Sequence, residues 1–128
     1  MDERDEGGLF GLQGRHLLVV EDNVHCAAAL ARWLEICGAH VAIATTVDAA
    51  RAWLRAARPD LLVVDVHLPD GTGWDVVDAA GEVPAVAITG RPGELEPRAA
   101  SHGVRHVIAK PIAPAALADA LSRTLAEA

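Results

Sequence analysis

The chain of 128 residues contains few aromatic residues and only two cysteines, and both features limit the classes of protein to which it can belong. It has no tyrosine, and its one phenylalanine, Phe10, lies close to the N-terminus. The two cysteines, Cys26 and Cys37, fall in one predicted helix, about 16 Å apart along its axis. This separation is too large for a disulfide. We therefore expect both cysteines to be buried helix residues and not a redox or metal-binding pair.

Long apolar runs and basic stretches are also missing. Although 52% of the residues are hydrophobic, no run approaches the roughly 18 residues that a membrane span needs. The acidic first six residues are unlike the basic start of a signal peptide. A net charge of −7 without a basic stripe argues against binding to nucleic acid. These features predict a soluble, cytoplasmic protein of one domain with no membrane insertion.

Apolar strands alternate with helices along most of the chain, after a charged, glycine-rich segment at 1–14 that we expect to be a flexible leader. The strands are predicted at 16–20, 39–44, 61–65, 83–89 and 104–111. Helices are predicted at 24–37, 47–57 and 74–80, between 90 and 102, and from Pro114 onward. The third helix is short, and Pro92 and Pro97 shorten the fourth. This alternation predicts an α/β fold, a doubly wound five-stranded parallel sheet of flavodoxin-like order 2-1-3-4-5 with five helices.

Charged and hydroxyl residues stand at the ends of four of these strands. Glu21 and Asp22 follow the first strand, Asp65 ends the third, Thr89 the fourth and Lys110 the fifth. Because parallel strands direct their carboxyl ends to one edge of the sheet, three carboxylates would crowd one crevice. Such crowding needs a cation, and oxygen ligands suit Mg²⁺. A phosphoryl group on Asp65 would then share its oxygens among the metal, the ammonium and the hydroxyl.

With these residues in place, the chain resembles a response-regulator receiver domain of two-component signalling, over about residues 15 to 127. The resemblance is carried by Glu21-Asp22-Asn23, Asp65, Leu68-Pro69-Asp70-Gly71, Thr89-Gly90 and Lys110-Pro111. It implies a receiver domain at 15–128 that takes a phosphoryl group from a histidine kinase or a histidine phosphotransfer protein. Such a domain is not a conventional enzyme, but it catalyses its own aspartyl phosphorylation and dephosphorylation and signals by a conformational change.

The resemblance also implies a role for each site residue. Asp65 would be the phosphoacceptor, Thr89 the switch hydroxyl and Lys110 the cation that contacts the phosphoryl group, with a cis peptide bond before Pro111. The ligands of Mg²⁺ would be the side chains of Glu21, Asp22 and Asp65 and the backbone carbonyl of His67.

The chain departs from the family pattern in its switch region. The family's switch aromatic lies three residues before the lysine, where this chain has Val107. We therefore expect the signal to leave through the loop after Thr89, or His106 to substitute in part. Asp65 and Thr89 are 24 positions apart, fewer than the family generally has, which shortens the third helix and its exit loop. The side chain of His67 either reaches the phosphoryl group or faces solvent.

Other interpretations fit less well. A phosphatase of the haloacid dehalogenase type needs a second aspartate where this chain has His67, and no G-x-G-x-x-G follows the first strand as in a nucleotide-binding Rossmann module. The alternative that stays open is a pseudo-receiver, a phosphorylation-independent interaction module, which Val107 and the short third helix favour. The sequence leaves open the cognate kinase, the downstream effector, the oligomeric state and whether the chain is part of a longer protein.

Overall fold

The computed structural model describes residues 9–91 and 98–127. Its principal strands are β1 (His16–Val20), β2 (His40–Ala44), β3 (Leu61–Asp65), β4 (Ala85–Thr89) and β5 (His106–Ala109). The helices are α1 (Val24–Ile36), α2 (Val47–Ala56), α3 (Gly73–Ala80), α4 (of which 98–101 are described) and α5 (Pro114–Glu127). Within these residues, no helix is long and apolar enough to cross a bilayer.

The five strands form one parallel sheet in the order β2-β1-β3-β4-β5, as predicted. β3 lies in the middle of the sheet, and all five of its residues are buried. Because successive side chains of a strand point to opposite faces, Leu62 and Val64 join one apolar cluster while Leu61 and Val63 join another. The sheet is therefore packed on both faces, which explains the continuous apolar run of its central strand.

The helix after β1 starts where the sequence predicts, but only one of its two cysteines is buried. The Asn23 side chain accepts hydrogen bonds from the backbone N–H groups of His25 and Cys26, which caps α1. The buried face consists of Ala27, Leu30, Ala31 and Leu34. The expectation that both cysteines are buried is confirmed for Cys37 and wrong for Cys26, which is exposed. Small alanines occupy the inward stripe, and Cys26 lies beside it.

Of the two helices that the sequence predicts to be short, the third can be compared with the structure. The third helix is short as predicted, with eight residues between Gly73 and Ala80. Residues 92–97, on which the predicted shortening of the fourth helix depends, lie outside the described residues.

The segment just before β1 packs onto the domain. Leu12 is fully buried in the apolar cluster that contains Leu34 and Leu117, and the N–H of Gly14 donates to the carbonyl of Gly38 at 2.8 Å. The division of the chain into a leader and a domain at residue 14 stays a prediction, because residues 1–8 lie outside the described part. Packing against the core nevertheless reaches at least as far back as Leu12.

Candidate functional site

Three of the predicted site residues meet in direct contact at the carboxyl edge of the sheet. The Lys110 Nζ atom lies 2.6 Å from Asp65 Oδ2 and 3.1 and 3.2 Å from the two carboxylate oxygens of Glu21. Asp65 Oδ1 accepts a hydrogen bond of 3.0 Å from the backbone N–H of His67. Glu21 and Asp65 are buried, and the lysine is about one-third exposed. One ammonium group therefore serves two buried carboxylates.

The acidic residues also form a group that suits a hard metal ion. One carboxylate oxygen from each of Glu21, Asp22 and Asp65 lies within 4.8 Å of the other two. Glu21 and Asp65 are buried whereas Asp22 is exposed, so the group is open to solvent on one side. An oxygen-only donor set with an open side fits Mg²⁺, which keeps several of its waters when protein carboxylates bind it. The ligand role of the His67 carbonyl stays a prediction.

The electrostatics of the site follow from the crowding of these charges. Burial raises the pKa of Glu21 to about 7, and the neighbouring Asp65 carboxylate adds to this effect. Burial would also raise the pKa of Asp65, but its hydrogen bonds with Glu21, Lys110 and the His67 N–H outweigh burial and hold that pKa below its usual value. Partial burial opposes the charged form of Lys110, yet the two carboxylates raise its pKa above the ordinary value. Asp65 is thus kept as a carboxylate beside a charged lysine.

Thr89 lies at the same edge but bonds to its own loop. Its side chain is fully buried, and its hydroxyl oxygen accepts a 3.0 Å hydrogen bond from the backbone N–H of Arg91. The carbonyl of Thr89 accepts a 2.8 Å bond from the backbone N–H of Lys110, so the ends of β4 and β5 are tied together. The peptide bond between Lys110 and Pro111 is cis, as the resemblance implies.

The loop after the central strand is held by close backbone packing. The N–H of Gly73 donates to the carbonyl of Val66 at 2.8 Å, and a Cβ atom at Gly73 would lie 2.5 Å from the backbone oxygen of Asp65. The Asp70 carboxylate accepts bonds of 2.7 and 3.0 Å from the N–H groups of Val47 and Asp48, at the start of α2. Sequence reasoning missed this cap of α2, because the partners are more than 20 positions apart.

The two neighbouring residues Val107 and His106 of β5 contact different parts of the fold. Val107 is half-buried and packs against the apolar cluster that includes Trp74. The His106 ring nitrogen Nε2 lies 3.3 Å from a carboxylate oxygen of Glu127 in α5. This contact connects β5 to the last helix. That His106 substitutes in part for the missing switch aromatic stays a prediction.

The chain matches a known protein family. Residues 17–122 match the family described as the response regulator receiver domain. The chain belongs to this family and is a receiver domain of a response regulator of the two-component type.

The curated relatives are longer than this chain. The photosynthetic apparatus regulatory protein RegA of Rhodobacter capsulatus is 40% identical over 68 residues, which cover 53% of this chain and 37% of that protein. The transcriptional regulatory protein PrrA of Mycobacterium tuberculosis is 38% identical over 88 residues, 63% of this chain and 36% of that protein. The chain thus spans little more than a third of these relatives.

Solved structures show the same fold. A CheY-like receiver domain protein from Methanospirillum hungatei has a TM-score of 0.83 at 24% identity, covering 90% of this chain and 96% of that one. The receiver domain of HemR from Leptospira biflexa has a TM-score of 0.78 at 28% identity, covering 87% of this chain and 94% of that one.

Proposed function

We propose that this receiver domain accepts a phosphoryl group on Asp65 from the phosphohistidine of a histidine kinase or a histidine phosphotransfer protein, in a reaction that depends on Mg²⁺. The observation that carries the proposal is the contact of Lys110 with Asp65 at 2.6 Å, beside the carboxylate group of Glu21 and Asp22. A phosphohistidine donor of this kind acts in the cytoplasm, which we propose as the site of action.

The chemistry follows from the state of Asp65. One of its carboxylate oxygens attacks the phosphorus, a new O–P bond forms, and the P–N bond to the donor imidazole breaks. The electron pair of that bond returns to the imidazole nitrogen. Because the pKa of Asp65 is lowered, the nucleophile is ionised at neutral pH. In the hydrolysis that returns the domain to its unphosphorylated state, a water oxygen attacks the phosphorus, the bond between phosphorus and the Asp65 oxygen breaks, and inorganic phosphate leaves the restored carboxylate.

The neighbouring residues position the incoming group and offset its charge. Lys110 supplies a positive charge at the Asp65 oxygen, and we propose that Thr89 exchanges its bond to the Arg91 N–H for a phosphoryl oxygen. Glu21, Asp22 and Asp65 would hold Mg²⁺ together with the His67 carbonyl. When bound, the ion neutralises the negative charge that accumulates between the carboxylates and the phosphoryl oxygens.

An apolar cavity beside the site supports a protein phosphodonor. It has a volume of about 520 Å³ and lies between α1 and the segment that leads from Lys110 into α5. Its apolar lining includes Leu30, Trp33, Ile88 and Ile112, and Glu21 and Lys110 stand at its polar side. A partner that seats apolar side chains here would bring its phosphohistidine close to Asp65.

The test is phosphorylation by a small donor that needs no partner protein. We would incubate the protein with phosphoramidate, with Mg²⁺ or with EDTA, and weigh it intact. We expect one phosphoryl adduct with Mg²⁺, much less with EDTA, and none in Asp65→Asn. The matched control is Asp119→Asn on the exposed face of α5, which should form the adduct as the unchanged protein does. A protein that forms no adduct with this donor or with histidine kinases would be a pseudo-receiver.

A further inference from the structure

A cluster of three side chains joins α3 to the end of α4. The rings of Trp74 and His102 are stacked, with centroids 5.4 Å apart and planes 8° from parallel. The His102 Nδ1 atom lies 2.8 Å from Asp78 Oδ1. Trp74 and Asp78 are four positions apart in one helix, so they share a face. Two side chains of α3 therefore hold one histidine that follows α4.

Trp74 and His102 belong to the two segments of the chain that a phosphoryl group on Asp65 would affect. Trp74 directly follows Gly73, which packs on the backbone of Asp65. His102 follows the helical residues 98–101, and its N–H is bonded to the carbonyls of Arg98 and Ala99. That helix lies between Thr89 and β5 in the chain. The contact therefore bridges the segment after the phosphoacceptor and the segment after the switch hydroxyl.

The indole of Trp74 is the aromatic group best placed between these segments. Trp74 is 1% exposed and shares an apolar cluster with Ala99, Val104 and Val107. Trp33 and Trp53, the other tryptophans, lie in α1 and α2 and are only partly buried. The place of the family's switch aromatic is taken by Val107, and Trp74 packs against the same cluster from the α3 side.

The indole N–H leaves this packing without one hydrogen bond. Trp74 Nε1 is buried and has no hydrogen-bond partner among the described residues. A buried donor without a partner raises the free energy of the arrangement that contains it. A second arrangement in which α4 moves and the indole reaches water or an acceptor would recover that loss.

We propose that Trp74, His102 and Asp78 form a latch that is closed in the unphosphorylated domain and opens when Asp65 is phosphorylated, so that α4 moves away from α3. This inference rests on the proposed function. A bond from the Thr89 hydroxyl to the phosphoryl group would compete with its bond to the Arg91 N–H, and the stacked His102 would leave the indole. The latch then reports phosphorylation through an aromatic side chain of α3, in place of the switch aromatic that Val107 replaces in β5.

The test measures the solvent exposure of Trp74 in a Trp33→Phe/Trp53→Phe variant, whose fluorescence comes from Trp74 alone. Acrylamide quenching is recorded before and after phosphoramidate with Mg²⁺, and the same samples are weighed intact. We expect the quenching constant to rise severalfold in the samples that carry the adduct. An adduct with unchanged quenching overturns the latch and leaves the proposed function standing. Absence of the adduct in the protein with its native tryptophans, with phosphoramidate and with histidine kinases, overturns the proposed function and the latch with it.

Variants that open the latch without phosphate give a second measurement. In the same background, His102→Ala and the milder Asp78→Asn should raise acrylamide quenching of the unphosphorylated protein, whereas His25→Ala on α1 should not. Because coupling between two events is reciprocal, an open latch should also tighten binding of beryllofluoride with Mg²⁺, a mimic of the phosphoryl group. The proposal would be contradicted if folded Asp78→Asn and His102→Ala bound beryllofluoride with the same affinity as the protein whose latch is unchanged.

Discussion

Lys110 contacts Asp65 at 2.6 Å and Glu21 at 3.1 Å, so the only lysine of the chain balances two buried carboxylates at once. The three groups come from the ends of three strands, β5, β3 and β1, and the order of the sheet brings them together. The contact has consequences for stability as well as for phosphorylation, because a buried charge that loses its partner is costly.

Replacing the lysine should therefore destabilise the domain. Lys110→Gln leaves Glu21 and Asp65 without a cation, and we expect a loss of about 1–3 kcal/mol at pH 8, below the cost for a fully buried pair because Lys110 is partly exposed. The loss should shrink at pH 5, where a carboxyl can take up a proton. Urea unfolding in EDTA at both pH values measures it. Arg123→Gln, which breaks an exposed pair on α5, is the control and should have little effect. Equal stability of Lys110→Gln and the unchanged protein would be inconsistent with the ion pairs.

The raised pKa of Glu21 predicts a pH dependence of a definite sign. The folded protein holds a proton on Glu21 up to about pH 7, whereas the unfolded chain releases it near 4.5. The stabilising contribution is therefore complete below pH 4.5 and is lost as the pH rises to 7. Between pH 5 and 8 in EDTA, the free energy of unfolding of the unchanged protein should fall by about 2 kcal/mol more than that of Glu21→Gln, whose side chain does not titrate.

The control for this measurement is Glu35→Gln, on the exposed side of α1, whose curve should run parallel to that of the unchanged protein. Added Mg²⁺ should recover stability at pH 8 in the unchanged protein, and recover less in Glu21→Gln, because a carboxylate ligand is missing. Parallel curves for Glu21→Gln and the unchanged protein would mean that Glu21 has an ordinary pKa.

The close approach of α3 to the central strand predicts the effect of one methyl group. In Gly73→Ala the new Cβ atom would lie 2.5 Å from the Asp65 backbone oxygen and 3.0 Å from Val64 Cγ2, so the strand end or the helix must shift. We expect a destabilisation of about 1–3 kcal/mol and slower phosphorylation by phosphoramidate. Gly90→Ala, where a Cβ atom would meet nothing within 4 Å, should change stability by less than about 0.5 kcal/mol. Similar stability of the two variants would show that Gly73 is not tightly packed.

Much of the fold and the place of the site could be predicted from the sequence, because the pattern is local. A buried run such as Leu61–Val64 followed by Asp65 indicates a central parallel strand and its carboxyl end without knowledge of any partner. Once the strand order is assumed, topology places the end of β1, with Glu21, next to that of β3, and the end of β5, with Lys110, two strands away at the same edge. The structure shows these contacts, whereas the chemical roles of the residues stay predictions.

The features that could not be predicted from the sequence depend on side chains that are far apart in the chain or similar in chemical character. His102 was one of several scattered histidines, and nothing local connects it to Trp74 and Asp78, which lie more than 20 positions away. The prediction that Cys26 is buried was wrong because alanine and cysteine are both acceptable on an inward helix face. In α1, Ala27 and Ala31 occupy that face. The packing of Leu12 against the core could not be predicted from the sequence, because a single leucine beside glycines shows no periodicity.

The most direct measurement of the central claim identifies the phosphorylated residue. After phosphoramidate and Mg²⁺, borohydride reduces an aspartyl phosphate to homoserine, and tandem mass spectrometry of the peptides locates the homoserine. We predict homoserine at position 65, with Asp22 and Asp70 unchanged, and its loss when EDTA replaces Mg²⁺. Homoserine at Asp22 or Asp70 in place of position 65, or a phosphorylated protein without any homoserine, would contradict the assignment of Asp65 as the phosphoacceptor.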